Sequence, residues 1–175
     1  MHPLQKHYYN VVQRDLILSE LTSTVSIIPS PQKIVLCLGG ASTSENDVIS
    51  SLSALYIIGN QKPFVTQKKA QVSSILKESV GGKMTLRKTK MFQFWYKLLF
   101  NVLPRIRQFE GLKSPAHKKA YCFILKDIFS FEDLISLFPY FEDLGSLQCQ
   151  FHFTTKSKNE VAVLGQCLQL CFIPE

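Results

Sequence analysis

The sequence predicts an α+β fold, in which a mixed or antiparallel sheet has helices packed on one face and leaves the opposite face open. Short runs rich in β-branched and aromatic residues are separated by single segments with helical spacing. One of these runs, KMTLR at residues 83–87, places apolar side chains on one side and polar ones on the other. The chain has 175 residues, of which 46% are hydrophobic, so a single domain over residues 1–175 with a real core is expected.

The first third of the chain predicts a helix, a strand and a second helix. Residues 1–28 are expected to contain the N-terminal helix. Its apolar side chains recur near helical spacing at Leu4, Tyr8, Val11, Val12, Leu18 and Leu21. The run KIVLCLGG at residues 33–40 predicts a strand that two turn glycines close. Ser44 is then expected to cap a helix that stops at Gly59.

A long basic loop is expected in the middle of the chain. QKPFVT at residues 61–66 predicts an extended edge, and the polar residues after it predict a mobile loop over residues 67–82. Gly81 and Gly82 are expected to be turn glycines at the end of this loop. The strand that follows puts Met84 and Leu86 on its apolar side.

The last half of the chain begins with a strong helix from Thr89, which Pro104 ends or kinks, leaving Arg105 and Arg107 exposed. Its buried stripe is expected to be Phe92, Trp95, Leu98, Leu99, Val102 and Leu103. AYCFIL and LQCQFHFTT predict two further strands, and Ser157 with Glu160 forms a capping box that opens a final helix. We therefore expect a core over residues 29–126, and a closing strand and helix over residues 147–175.

The charge of the chain is strongly polarised. Residues 61–126 hold fifteen of the twenty Lys and Arg residues but only two of the thirteen acids, which gives a net charge of +13. The remaining five basic and eleven acidic residues give −6. A field of this size is typical of a protein that binds a polyanion, most often the phosphate backbone of a nucleic acid. The alternative, a solvated surface rich in lysine, usually mixes both signs of charge.

Other classes of function have weaker support in the sequence. No apolar run approaches the roughly 20 residues that span a bilayer, so no membrane partner is expected. A zinc site could combine Cys149 and His152 with Cys167 and Cys171. However, residues three apart on a strand point to opposite faces, so Cys149 and His152 are poorly placed to share a metal. The odd number of scattered cysteines favours buried thiols in a reducing compartment.

Three stretches resemble the family of the universal large-subunit ribosomal protein that holds 5S rRNA, the fifth protein of that subunit. IPSPQKIVLCLGG resembles the proline-flanked first strand of the family. IGNQKPFVTQKKAQ is similar to its G-Q-K-P-x-x-T-x-A-K-K segment. KMTLRKTKMFQFWYKLLFNVLPRIRQFEGL resembles its longest motif, K-V-T-L-R-G through L-P-R-[IV]-R-D-F-R-G-L. The resemblance extends to FHFTTKSKNEVAVL near the end of the chain and is poor between residues 129 and 146 within a divergent segment, residues 127–146.

The resemblance implies a structural protein of the central protuberance, with the open face of the sheet bound to RNA and no catalysis. The implied partners are large-subunit rRNA, 5S rRNA or a 5S-like RNA, the peptidyl-site tRNA, a small-subunit head protein across an intersubunit bridge, and neighbouring large-subunit proteins. No cofactor or metal is implied. The residues expected to contact RNA are Lys33, Gln61, Lys62, Thr66, Lys68, Lys69, Lys83, Thr85, Arg87, Arg105 and Arg107.

Several positions depart from the family pattern. Cys37 stands where the family has Asn, Lys88 where it has Gly, and Glu110 where it has Arg. The loop between Gln71 and Gly82 is also shorter than in the family and lacks its G-F-K core. A chain that keeps framework motifs while losing RNA-reading residues is expected in a mitochondrial ribosome, in the matrix, ahead of a plastid or a bacterial cytoplasm.

Two alternative functions have less support than ribosomal RNA binding. A free-standing RNA-binding module would carry an aromatic RNP signature, which the sequence lacks. A thiol enzyme would use Cys37 with His7 or His117, but no glycine elbow, paired carboxylate or phosphate loop accompanies them.

Overall fold

The computed structural model describes residues 2–20, 28–40, 45–68, 79–107, 109–142 and 144–173. These residues contain a five-stranded antiparallel sheet accompanied by helices, which confirms the predicted α+β fold. The strands are β1 (Ser30–Gly40), β2 (Phe64–Gln67), β3 (Ser79–Leu86), β4 (Ala120–Leu125) and β5 (Leu144–Thr154). Their order across the sheet is β2-β3-β1-β5-β4.

The helices follow the apolar periodicity of the sequence. Helix α1 (residues 3–20) is built from Pro3–His7, a wider π-helical turn at Tyr8–Val12, and Gln13–Glu20. The next two are α2 (Glu45–Gly59) and α3 (Lys88–Lys97). Helix α3 continues into a π-helical turn at Leu98–Val102 and a 3₁₀ turn at Leu103–Arg105. Two single-turn helices, α4 (Glu132–Ile135) and α5 (Phe138–Phe141), precede the last helix, α6 (Lys158–Cys167).

The residues group into two compact units. The first comprises Met1–Ile34, Arg87–Phe123 and Gln150–Glu175, and the second comprises Val35–Leu86 and Ile124–Cys149. Strands β1, β4 and β5 each supply residues to both units. The expected division of a single domain into an N-terminal helix, a core, a divergent segment and a closing element stays a prediction.

The core of the first unit is aromatic. Trp95, on α3, is 1% exposed, and its ring meets that of Phe151 edge-on at 4.7 Å between centroids. Helix α1 packs against α3, and the Tyr8 hydroxyl donates a hydrogen bond to the Pro29 carbonyl at 3.0 Å. The predicted capping box is confirmed, since the Ser157 hydroxyl oxygen accepts a hydrogen bond from the Glu160 amide at 3.2 Å.

The core of the second unit lies between α2 and β3. Gly82 faces α2 so closely that a Cβ there would lie 2.7 Å from Leu55 Cδ1. On the same strand, Met84 and Leu86 are fully buried. Helices α4 and α5 also pack against α2. The side of β3 that carries even-numbered residues is therefore the helix-covered side.

The predicted loop over residues 67–82 is wrong at both ends. Gln67 belongs to β2, and β3 begins at Ser79, so Gly81 and Gly82 lie within a strand. Gly39 and Gly40 likewise end β1 and are not turn residues. The physical reason is close packing, because a Cβ on Gly81 would lie 2.7 Å from Gly39 Cα and closer still to the Leu38 carbonyl oxygen. Residues 69–78, like the expected cap Ser44, lie outside the described residues.

Lys88, where the family pattern has glycine, has a φ of +53°. This left-handed conformation suits glycine and costs other residues about 1–2 kcal/mol. We therefore expect Lys88→Gly to raise the free energy of unfolding by about 1 kcal/mol. Gln93→Gly, at an exposed position inside the same helix, is the matched control and is expected to lower it by about 1 kcal/mol. Urea unfolding followed by circular dichroism measures both, and a loss of stability in both variants would contradict the assignment.

Candidate nucleic-acid interface

Strand β3 presents polar side chains on the face away from α2. Lys83 is exposed and Thr85 is half-buried, whereas Gly82, Met84 and Leu86 are buried on the helix-covered side. The predicted alternation of this strand is therefore confirmed. Because strand residues two apart share a face, Lys83 and Thr85 form a cation and a hydroxyl group side by side on the uncovered face.

Strand β2 extends this polar face. It pairs with β3 in antiparallel register, with Phe64 opposite Lys83 and Thr66 opposite Gly81. Residues directly opposite one another in an antiparallel pair point to the same side of the sheet, so Phe64 and Thr66 lie on the Lys83 side. The Gln61 side-chain amide donates a hydrogen bond to the Thr85 carbonyl at 3.0 Å, which ties the start of this segment to β3.

Phe64 is a functional candidate that the sequence analysis missed. Its side chain is 71% exposed, although it lies in a strand and is large and apolar. A phenyl ring beside an exposed lysine is a surface on which a nucleobase stacks, because every base has an apolar face and the lysine attracts the adjoining phosphate. The signal in the sequence was the two-residue spacing from Lys62 through Phe64 to Thr66, which places all three on one side of an extended segment.

The expected RNA-contacting residues fall in both compact units. The second unit holds Gln61, Lys62, Thr66, Lys68, Lys83 and Thr85, of which the three lysines are exposed. The first unit holds Lys33, which is exposed to a smaller or larger degree along β1 with its neighbours, and Arg87, Arg105 and Arg107. Lys69 lies outside the described residues. Each unit thus brings together its own subset, and the full set as one RNA-contacting surface stays a prediction.

The cysteines differ in burial more than expected. All five are thiols, but only Cys149 is buried, while Cys37 and Cys167 are half-buried and Cys122 and Cys171 are exposed. Burial is the main cause that raises the pKa of the Cys167 thiol, and the charge of Asp15 acts in the same direction. The thiol of Cys167 is therefore protonated near neutral pH, which makes it a poor nucleophile and a poor metal ligand.

The geometry also bears on the zinc and membrane alternatives. Cys149 lies on the buried side of β5 and His152 on its other side, as strand alternation requires. No group of three or more His, Cys, Asp or Glu side chains in the described part of the chain could hold a metal ion. Within the same residues, no helix combines the length and apolar character needed to cross a bilayer.

Comparison with known proteins decides the family. The model for the C-terminus of the ribosomal uL5 protein family matches residues 79–172, more than half of the chain, from the start of β3 to beyond α6. The chain belongs to the ribosomal uL5 family. It is 29% identical over 177 residues to large ribosomal subunit protein uL5m of Reclinomonas americana, which covers 97% of each chain.

Bacterial relatives agree with this assignment. The chain is 31% identical over 142 residues to large ribosomal subunit protein uL5 of Mycoplasma pneumoniae, which covers 77% of this chain and 79% of that protein. It is 38% identical over 116 residues to uL5 of Clostridium tetani, which covers 63% of this chain and 64% of that protein. As a member of the family, the chain is a structural ribosomal protein of an organellar type and is not an enzyme. The alternatives of a free-standing RNA-binding module and of a thiol enzyme at Cys37 are therefore wrong.

Proposed function

We propose that the chain binds 5S rRNA, or a 5S-like RNA, together with large-subunit rRNA at the central protuberance, and that the polar face of β2 and β3 contacts the RNA. The observation that carries this proposal is the alternation of β3, which exposes Lys83 and places Thr85 beside it on the face away from α2. That face belongs to the segment of the chain whose net charge is +13. Its chemistry is that of a surface that receives a polyanion without help from a cofactor.

Each group on this face has a separate part in the proposed contact. Lys62, Lys68 and Lys83 would neutralise phosphates and so position the RNA. Thr66 and Thr85 would hydrogen-bond to phosphate oxygens or 2′-hydroxyl groups, which distinguish RNA from DNA. Phe64 would stack on a base that is not paired. Arg87, Arg105 and Arg107 would add phosphate contacts from the first unit.

A second set of partners is proposed for the divergent segment. Residues 127–142 contain four acids and no Lys or Arg, and all four carboxylates are on exposed residues: Asp127, Glu132, Asp133 and Glu142. Ile135, Phe138 and Tyr140 are exposed beside them, at 52%, 46% and 74%. An acidic surface repels RNA and attracts basic proteins, so this segment supports the proposed contact with a small-subunit head protein or a neighbouring large-subunit protein.

The proposed compartment is the mitochondrial matrix, where the chain would be part of the mitochondrial ribosome. The support is the similarity to uL5m of Reclinomonas americana over 97% of the chain. The loop after β2 is proposed to approach the peptidyl-site tRNA, and it lies outside the described residues. Cross-linking of intact mitochondrial ribosomes, followed by identification of the attached RNAs and proteins, tests these partners. Cross-links from this chain to neither 5S-like RNA, tRNA nor a head protein would contradict the proposal.

The RNA-binding face itself is tested by the double variant Thr85→Ala, Arg87→Ala. We expect its dissociation constant for an in vitro transcribed bacterial 5S rRNA to rise about tenfold or more at 100 mM salt, since each lost contact to RNA costs about 1–3 kcal/mol. The slope of log affinity against log salt is expected to fall by about one unit, because one phosphate contact is lost. The melting temperature should stay unchanged because neither side chain is buried in the core.

Lys126→Ala is the matched control for this experiment. Lys126 is exposed just beyond β4, so the variant loses the same charge away from the proposed face. A double variant that binds RNA as tightly as the control would contradict the assignment of the face. An equal fall in melting temperature and in affinity would mean that the two residues act in folding and not in binding.

A further inference from the structure

A lysine-lined cleft in the first unit has no role in the function derived so far. Its volume is about 580 Å³, within the range of about 300–1,000 Å³ that is typical of pockets for small ligands and nucleotides. Its polar lining consists mainly of Gln32, Lys33, Lys119, His152, Thr154 and Lys156. Only Lys33 among these was expected from the sequence to contact RNA.

The cleft gathers cations from three distant parts of the chain without a neutralising acid. Lys33 comes from β1, Lys119 directly precedes β4, and Lys156 follows β5. No Asp or Glu lines the cleft, and none of the three ammonium groups pairs with a carboxylate among the residues that the structure describes. Like charges around one concavity repel each other, so their convergence is unfavourable unless an anion occupies it.

The backbone that carries these lysines is already fixed in place. The Lys119 carbonyl accepts a hydrogen bond from the Phe153 amide at 2.9 Å, and the neighbouring Lys118 carbonyl accepts one from the Thr155 hydroxyl. On the other side, the Lys156 amide donates to the Glu160 carboxylate at 2.9 Å. Binding here would therefore cost little ordering of the backbone, since two of the three lysines extend from anchored positions.

The acid closest in sequence, Glu160, is turned away from this role. One of its carboxylate oxygens accepts from the Lys156 amide and the other from the Ser157 hydroxyl at 2.9 Å, as the capping box requires. Glu160 is also absent from the residues that line the cleft. The cations of the cleft are thus left to an external anion.

We infer that this cleft is a second RNA contact, which holds the phosphodiester backbone of one nucleotide. The inference rests on the proposed RNA-binding function and adds a site to it. Three ammonium groups together with hydroxyl and amide groups suit the several acceptor oxygens of a phosphodiester and its neighbouring ribose. His152 supplies an imidazole on the same wall, which can hydrogen-bond to a 2′-hydroxyl or lie against a base.

The test compares Lys119→Gln, Lys156→Gln and their double variant with a matched control, Lys158→Gln. Lys158 lies in the first turn of α6, two residues from Lys156, but it does not line the cleft. The full-length proteins are titrated with a bacterial 5S rRNA transcript between 50 and 200 mM salt. We expect the double variant to bind at least tenfold more weakly at 100 mM salt and to lose almost two units of salt slope. The control should change by less than twofold.

Two outcomes would overturn the inference. If the cleft variants bind like the Lys158 control while Thr85→Ala, Arg87→Ala is impaired, the face of β2 and β3 binds RNA but the cleft does not, and an acidic protein segment becomes its occupant. If Lys119→Arg and Lys156→Arg bind as weakly as the Gln variants, the loss comes from altered structure and not from charge. Failure of the unaltered protein to bind any RNA would instead remove the proposed function itself.

Discussion

Replacement of Trp95 by alanine is expected to lower the free energy of unfolding by about 3–5 kcal/mol, the usual cost of removing a buried tryptophan. Its ring is 1% exposed and meets Phe151 edge-on, with Phe153 as a second aromatic neighbour at 6.1 Å. The variant loses both the buried apolar area and these aromatic contacts. Because Trp95 is the single tryptophan of the chain, unfolding in urea must be followed by circular dichroism rather than by fluorescence.

A second substitution at the same position separates packing from hydrogen bonding. The Trp95 indole nitrogen is buried and has no hydrogen-bond partner among the described residues. Trp95→Phe removes that unsatisfied donor, which offsets part of the lost packing, so a cost of about 1–2 kcal/mol is expected. Phe100→Ala, at a residue that is 51% exposed in the following π-helical turn, is the control and should cost less than about 1 kcal/mol. Equal losses in Trp95→Ala and Phe100→Ala would contradict the placement of Trp95 in the core.

Gly81→Ala is expected to destabilise the chain by about 1–3 kcal/mol, toward the upper end of that range. The added methyl group would lie 2.7 Å from Gly39 Cα and closer to the Leu38 carbonyl oxygen, and both are backbone atoms of β1. Side-chain ends can rotate away from such a clash, whereas paired strands must separate. Thermal unfolding measures the loss of stability.

Gly39→Ala is the matched control for Gly81→Ala. A Cβ on Gly39 would find its nearest neighbour, the Val80 carbonyl oxygen, at 3.6 Å, which is ordinary van der Waals contact. This variant is therefore expected to change stability by less than about 0.5 kcal/mol. If both alanine variants unfold at the same temperature, the close approach of β3 to β1 is not a constraint on Gly81.

The parts of the fold that depend on local chemistry were predictable from the sequence. The alternation of Lys83, Met84 and Thr85 indicated the faces of β3, because a strand with one covered side repeats every two residues. Ser157 and Glu160 indicated the start of α6, because a capping box satisfies the helix within four residues.

The errors lie where distant segments meet. Gly81 and Gly82 resemble turn residues locally, and only the approach of β1 and α2 explains why a strand needs glycine at those positions. The exposure of Phe64 could not be read from its type, since most phenylalanines in strands are buried. Lys119 and Lys156 are far apart in the sequence, so nothing in either local sequence indicates that they line one cleft.

Strand β2 has a consequence for the protein before it is assembled. It is the edge strand of the sheet, only four residues long, and Phe64 and Val65 are both substantially exposed on it. An exposed apolar edge is a template for pairing with a second copy and for aggregation. Here the register shifts between Thr66 and Gln67, and exposed lysines stand just before and just after the strand, at positions 62 and 68. Irregular pairing and like charge both oppose the addition of another strand, so the same lysines that are proposed to bind RNA keep the unassembled chain soluble.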